Sequence, residues 1–145
     1  MATARKNVGD VMTPSAEYIS ASTSLRDAAR KMKELHCGFL PISDPAGEKF
    51  EGVITDRDIV LRGVAEAMDP ESTPVAEIET EQVLYCFRTD SLEQAAKNMH
   101  DQQVYRLVVL EGEDDKRLCG VITLNDLVRH NEGAIAVAAA VGIAA

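Results

Sequence analysis

The chain has no tryptophan, and only 4% of its residues are aromatic. A core here must be packed from Val, Ile, Leu, Ala and Met, which the 46% hydrophobic fraction supplies. Basic clusters are also missing: nothing exceeds short pairs such as Arg5-Lys6, and no aromatic residues interleave with them. With a net charge of -9, long-range repulsion excludes nucleic acid as a partner, though a small anionic ligand can still be held by a locally positive site. Long apolar runs are absent as well. The tail GAIAVAAAVGIAA spans 13 residues, whereas a bilayer needs about 20, so no membrane span is expected. The tail, residues 133–145, reads as a short helix docked on the body or on a second subunit, or as a frayed end.

The cysteines are three, Cys37, Cys86 and Cys119, with no C-x-x-C pair. The odd count and the lack of a secretory signal fit a reducing cytoplasm, and small buried hydrophobes are the expected role, with redox chemistry as the rival. His36, His100 and His130 share no metal or triad spacing, and H-E-x-x-H, G-x-S-x-G and the P-loop are missing. The acidic stretches Asp44–Glu51 and Glu111–Lys116 lack the oxygen-ligand spacing of a calcium loop. The expectation is therefore a protein that is not an enzyme, with no metal and no resident cofactor.

What the chain does contain is a repeat. GVITDRDIVLR, Gly52–Arg62, returns as GVITLNDLVRH, Gly120–His130. Sliding the sequence by 67 places lays Val8–Thr13 on Val75–Thr80, Tyr18 on Tyr85, Ser24-Leu25 on Ser91-Leu92, Met32 on Met99 and Leu40 on Leu107. One inserted residue in the second loop then aligns the opening pair of stretches. Internal repetition of this kind marks two copies of one supersecondary unit. The copies are expected at residues 5–68 and 75–132, joined by a linker at 69–74 within the proline-bearing MDPESTPV.

Each copy predicts β-α-β-β-α. A short strand falls near Tyr18–Ala21 or Tyr85–Arg88. Ser24 and Ser91 then open helices over Ser24–Leu35 and Ser91–Gln102, where Leu25, Ala28, Ala29, Met32 and Leu35 form one apolar stripe. The strands FLPIS and RLVVL follow, then an acidic hairpin, the strands FEGVIT and LCGVIT, and the closing helices DRDIVLRGVAEAM and LNDLVRHNE. A unit of this length cannot cover both faces of its sheet. The expected fold is α+β, two repeats packed sheet to sheet about a pseudo-twofold axis, with two clefts as candidate ligand sites.

The Thr-x-x-Asp sequences Thr55–Asp58 and Thr123–Asp126 fall where a strand turns into a helix. There a Thr caps the helix and an Asp three residues on completes a capping box, a joint worth about 1 kcal/mol. The same groups suit a nucleotide: helix N–H groups and a hydroxyl favour phosphate, and a carboxylate suits ribose hydroxyls. Spacing leaves both readings open.

The pattern resembles a CBS-domain pair, or Bateman module. The resemblance rests on Val11–Pro14, Cys37–Asp44, Gly52–Val60, Val104–Glu111 and Gly120–Val128, and covers about residues 5–132. It implies a sensor that binds an adenosine compound (AMP, ADP, ATP, NAD or S-adenosylmethionine) between the repeats, and a disc-like homodimer acting on an unidentified downstream protein in the cytoplasm. Carried onto this chain, one cleft uses Asp126 for ribose and Thr123 for phosphate, with adenine against Thr13, Tyr18 and Cys37-Gly38-Phe39. The other uses Asp58 and Thr55 with Thr80, Tyr85 and Val104-Tyr105-Arg106. Arg106 and Arg57 are the phosphate candidates, Arg57 being equally a solvated helix residue. Val108 departs from the proline that the family usually keeps there, which Pro41 matches, and Thr80-Glu81 departs from Thr13-Pro14. The clefts are therefore expected to be unequal. The alternative is a dimerising interaction module that binds no nucleotide.

Overall fold

A computed structural model describes residues 6–14, 16–80, 84–130 and positions 133, 137 and 140. In chain order the elements are α1 (Val8–Val11), β1 (Thr13–Pro14), α2 (Leu25–Leu35), β2 (Phe39–Ser43), β3 (Phe50–Thr55), α3 (Asp56–Asp58), a π-helix (Ile59–Val64), a 3-10 turn (Val75–Glu77), β4 (Tyr85–Phe87), α4 (Leu92–Gln102), β5 (Arg106–Gly112), β6 (Asp115–Thr123) and α5 (Leu124–Arg129). The α+β expectation holds, and the second copy has the expected β-α-β-β-α order. The reading of the tail as a docked helix falls, apart from those three positions, outside the described residues.

The two long helices begin as the serines predict. Ser24 Oγ accepts the Asp27 N–H at 3.1 Å, and Ser91 Oγ accepts the Gln94 N–H at 3.0 Å. Ser91 also donates its own N–H to Gln94 Oε1 at 2.8 Å, closing a capping box.

The described residues fall into two compact units, one drawn from Met1–Ala16 and Gln82–Ala145, the other from Glu17–Glu81. The first holds a four-stranded sheet in the order β1-β6-β5-β4, with β4 parallel to β5 and the other pairs antiparallel. Its core contains Val8, Val11, Leu92, Ala95, Met99, Leu107, Val109, Ile122 and Leu127. The second holds the β2–β3 hairpin, with Ile19, Leu25, Ala28, Met32, Leu40, Ile42, Ile54, Val75 and Ile78 in its core.

These units cut across the sequence repeat in a symmetric way. Val8 and Val11, at the head of the first copy, are buried in the core built by the second. Their equivalents Val75 and Ile78 are buried in the core built by the first. The backbone follows the same rule. β1 pairs with β6, Thr13 opposite Val121, while the Thr80 N–H donates to the Val53 carbonyl at 2.9 Å. Each lead-in segment thus covers a sheet edge of the other copy, which accounts for boundaries that differ from the sequence repeat.

The expected strand at Tyr18–Ala21 shrinks to one parallel bridge, Ile19 to Ile42. In the second copy, β4 is anchored by the Val108 N–H donating to the Leu84 carbonyl at 2.8 Å. The equivalent of Val108 is Pro41, which has no N–H to give. The closing helix of the first copy also departs from a plain α-helix. After Asp58 it widens, with the Ala65 N–H on the Val60 carbonyl and the Met68 N–H on the Gly63 carbonyl, both five residues back. Gly63 is buried there, and a Cβ on it would come within 2.9 Å of Leu25 Cδ1.

Candidate functional site

β6 delivers Thr123 to the start of α5 in an extended conformation, so its side chain turns back over the helix. Thr123 Oγ1 accepts the Asp126 N–H at 3.1 Å, and Asp126 Oδ2 accepts the Thr123 N–H at 2.9 Å. Asp126 is only 2% exposed. A carboxylate so enclosed needs partners; its other oxygen faces Arg129 Nη1 at 3.4 Å. The antiparallel β5–β6 register places Arg106 opposite Thr123, and the Tyr105 carbonyl accepts the Leu124 N–H at 3.0 Å. On the far edge of β6, β1 brings in Thr13.

These groups surround an open depression of about 490 Å³ lined by Thr13, Tyr105, Arg106, Thr123 and Asp126, with Leu124, Asn125 and Arg129 completing it. The last three were not singled out in the sequence. Arg129 was legible there, because three residues after Asp126 on a helix is the neighbouring position on the same face. Tyr105 and Arg106, read in the sequence with Asp58, here share one depression with Asp126.

Thr55 and Asp58 form a similar but tighter joint. Thr55 Oγ1 accepts the Asp58 N–H at 3.1 Å and donates its proton to Asp58 Oδ2 at 2.8 Å, which also accepts the Thr55 N–H at 3.0 Å. The first helical N–H groups are answered within the chain as well. Asp56 N–H donates to the Gly38 carbonyl at 2.9 Å, and Arg57 N–H donates to Asp56 Oδ1 at 2.8 Å. The Asp56 carboxylate lies where a Cβ on Gly38 would stand. In α5 the position of Asp56 is taken by Leu124, which has no such carboxylate.

The remaining candidates do structural work at their positions. Tyr18 donates its hydroxyl to the Pro45 carbonyl at 2.8 Å and packs on Gly47, whose φ of 72° closes the β2–β3 loop. Cys37 Sγ points to the Phe39 carbonyl at 3.4 Å, and Phe39 is buried opposite Thr55. Thr80 holds the edge of β3 through its N–H. Tyr85 stacks at a tilt on Phe87, 5.8 Å between ring centres, and Val104 packs against the core of its unit.

Burial raises the pKa of two of the three thiols. Burial, and secondarily Asp90, pushes Cys86 up to about 12. Burial and the hydrogen bond to Glu111 push Cys119 up to about 11. Neither is ionised at neutral pH. Among the described residues, no three His, Cys, Asp or Glu side chains converge as a metal site, and no helix is long and apolar enough to cross a membrane.

The CBS domain family matches residues 8–64 and 75–133. Hypoxic response protein 1 of Mycobacterium tuberculosis is 32% identical over 130 residues, covering 90% of this chain and 85% of that one. A solved structure of Hypoxic Response Protein I with two coordinated zinc ions is similar at a TM-score of 0.77 and 30% identity, over 86% of this chain and 98% of the other. CBSX2 in complex with AMP gives a TM-score of 0.72 at 26% identity, over 89% and 98%. The CBS domain pair of MJ0100, in complex with 5′-methylthioadenosine and S-adenosyl-L-methionine, gives 0.70 at 25% identity, over 90% and 99%.

Proposed function

The chain belongs to the CBS-domain family, and on that premise we propose that it is a regulatory module that binds an adenosine compound in the depression beside Asp126. The observation that carries this reading is the convergence of Asp126, Thr123, Arg106, Tyr105 and Thr13 on one open depression. The ligands of the two neighbours, AMP in one and 5′-methylthioadenosine with S-adenosylmethionine in the other, have only adenine and its ribose ring in common. That shared part fits the groups present. A buried carboxylate accepts from paired ribose hydroxyls, and the exposed Tyr105 ring offers an apolar face. Regulation follows if the ligand favours one conformation over another and a protein partner reads the difference. The working form is proposed to be a homodimer in the cytoplasm.

A second reading has an observation of its own. Asp126 and Thr123 are both engaged in a complete capping box without any ligand, as are Asp58 and Thr55. On that reading the chain is an interaction module that binds no nucleotide.

Calorimetric titration of the nucleotide-stripped protein with AMP, ATP, NAD and S-adenosylmethionine separates the two. Binding of at least one compound, weakened about tenfold or more by Asp126→Asn, is the expected result, since a lost hydrogen bond to a charged group costs on that order. A loss with Asp58→Asn alone would move the site to the first copy. No heat with any of the four would leave both Thr-x-x-Asp turns as helix caps.

A further inference from the structure

The charge balance of the depression goes one step beyond that reading, and rests on it. Two guanidinium groups, Arg106 and Arg129, line the depression against one carboxylate, Asp126. The positions equivalent to these arginines in the first copy are apolar. Phe39 stands opposite Thr55 in β2–β3 as Arg106 stands opposite Thr123 in β5–β6. Leu61 follows Asp58 by three residues as Arg129 follows Asp126. Arg62 approaches Asp58 to 4.0 Å, but its Nη1 is already bound to the Glu79 carbonyl at 2.6 Å. The second Thr-x-x-Asp turn thus sets two arginines against one carboxylate, whereas the first sets Arg57 and Arg62 against Asp56 and Asp58.

Arg129 is placed to exchange partners. Its side chain is 60% exposed, and the ion pair engages Nη1 with Asp126 Oδ1. A guanidinium carries five N–H donors in a planar fork, well matched to phosphate oxygens. A ribose hydroxyl donating to Asp126 Oδ1 would take the place of Arg129 there. The displaced guanidinium is then free to pair with an anion, which a phosphate at the 5′ position supplies and a thioether or sulfonium at that position does not. We propose that this depression selects adenosine compounds that carry a 5′-phosphate over neutral or cationic adenosyl compounds, with Arg129 as the selecting residue.

The test is calorimetric titration of the full chain with adenosine, AMP and S-adenosylmethionine, in the unmutated protein and in Arg129→Gln. Arg117→Gln is the control: it removes the same charge at the other end of β6, roughly 20 Å from Thr123. AMP is expected to bind about tenfold more tightly than adenosine or S-adenosylmethionine, and less tightly as salt is raised. Arg129→Gln should erase most of that preference by weakening AMP far more than adenosine, and Arg117→Gln should preserve it. Equal binding of AMP and adenosine by the unmutated chain overturns the inference but leaves the adenosine site standing. Equal weakening of both ligands by Arg129→Gln also overturns it, because Arg129 would then only position Asp126. If none of the three binds, the inference falls, and the proposed function falls with it when ATP and NAD give no heat either.

Discussion

Gly120 shows what a single repeated residue is for. The Thr13 carbonyl lies so close to the β6 backbone that a Cβ at position 120 would overlap the carbonyl oxygen. Gly52, its equivalent, leaves room for Glu79 in the same way, where a Cβ would come within 2.6 Å of the carboxylate. The glycine that opens each GVIT therefore admits the lead-in segment that crosses it. Gly120→Ala should destabilise the protein by about 1–3 kcal/mol, because backbone rather than a flexible side chain must yield. It should also weaken ligand binding by moving Thr13. A Cβ on Gly112, in the same sheet, would meet nothing within 4 Å, so Gly112→Ala should be neutral or slightly stabilising. Urea denaturation of both variants checks this, and equal losses would mean that the close approach is not what Gly120 serves. Thr123 and Asp126 were legible as a cap from sequence, and their mutual hydrogen bonds follow the expected box. The spacing alone sets Arg129 beside Asp126 on one helix face, and the folded side chains bring the two to 3.4 Å.

Among the elements, the helices were the most readable, since serine caps and an apolar stripe at helical spacing are local signals. Of the expected stripe, however, only Leu25, Ala28 and Met32 are buried, while Ala29 and Leu35 stay exposed. The strands tell a different story. Tyr18–Ala21 and Tyr85–Arg88 read alike, yet only the second copy builds a strand there, because the deciding residue lies on the neighbouring element. Val108 donates to Leu84 and Pro41 cannot donate at all. Val108→Pro should therefore cost about 1–3 kcal/mol more than Val108→Ala, the extra being a missing β4–β5 hydrogen bond and a carbonyl left without its donor. Urea midpoints with unchanged slopes measure that difference. If the two variants lose equally, the hydrogen bond does not hold β4 in place.

For the molecule as a whole, the surface raises the question of assembly. Val60, Leu61 and Val64 on the π-helix are 55%, 46% and 66% exposed, and Val128, equivalent to Val60, is 56% exposed. Three apolar residues left exposed on one short helix suit a buried interface better than water. If the proposed homodimer uses this face, Val60→Lys with Val64→Lys should give a monomer by light scattering, with the circular dichroism of the parent. An unchanged dimer mass in that variant would place the interface elsewhere. Two added lysines offset only two units of the net charge of -9, which stays well away from zero, and aggregation would raise the measured mass rather than lower it.

The sequence by itself determined the repeat, the α+β class, the helix caps and the Thr-x-x-Asp turns: caps and turns are written in neighbours a few residues apart, and the repeat shows when the chain is slid along itself by 67 places. Only the tertiary structure decided which core each lead-in segment enters. Val8 and Val75 are interchangeable as apolar residues, and nothing local tells either one which sheet edge to cover. The same holds for the depression: Thr13, Arg106 and Asp126 are distant in the chain, and only the order β1-β6-β5 brings them to one place.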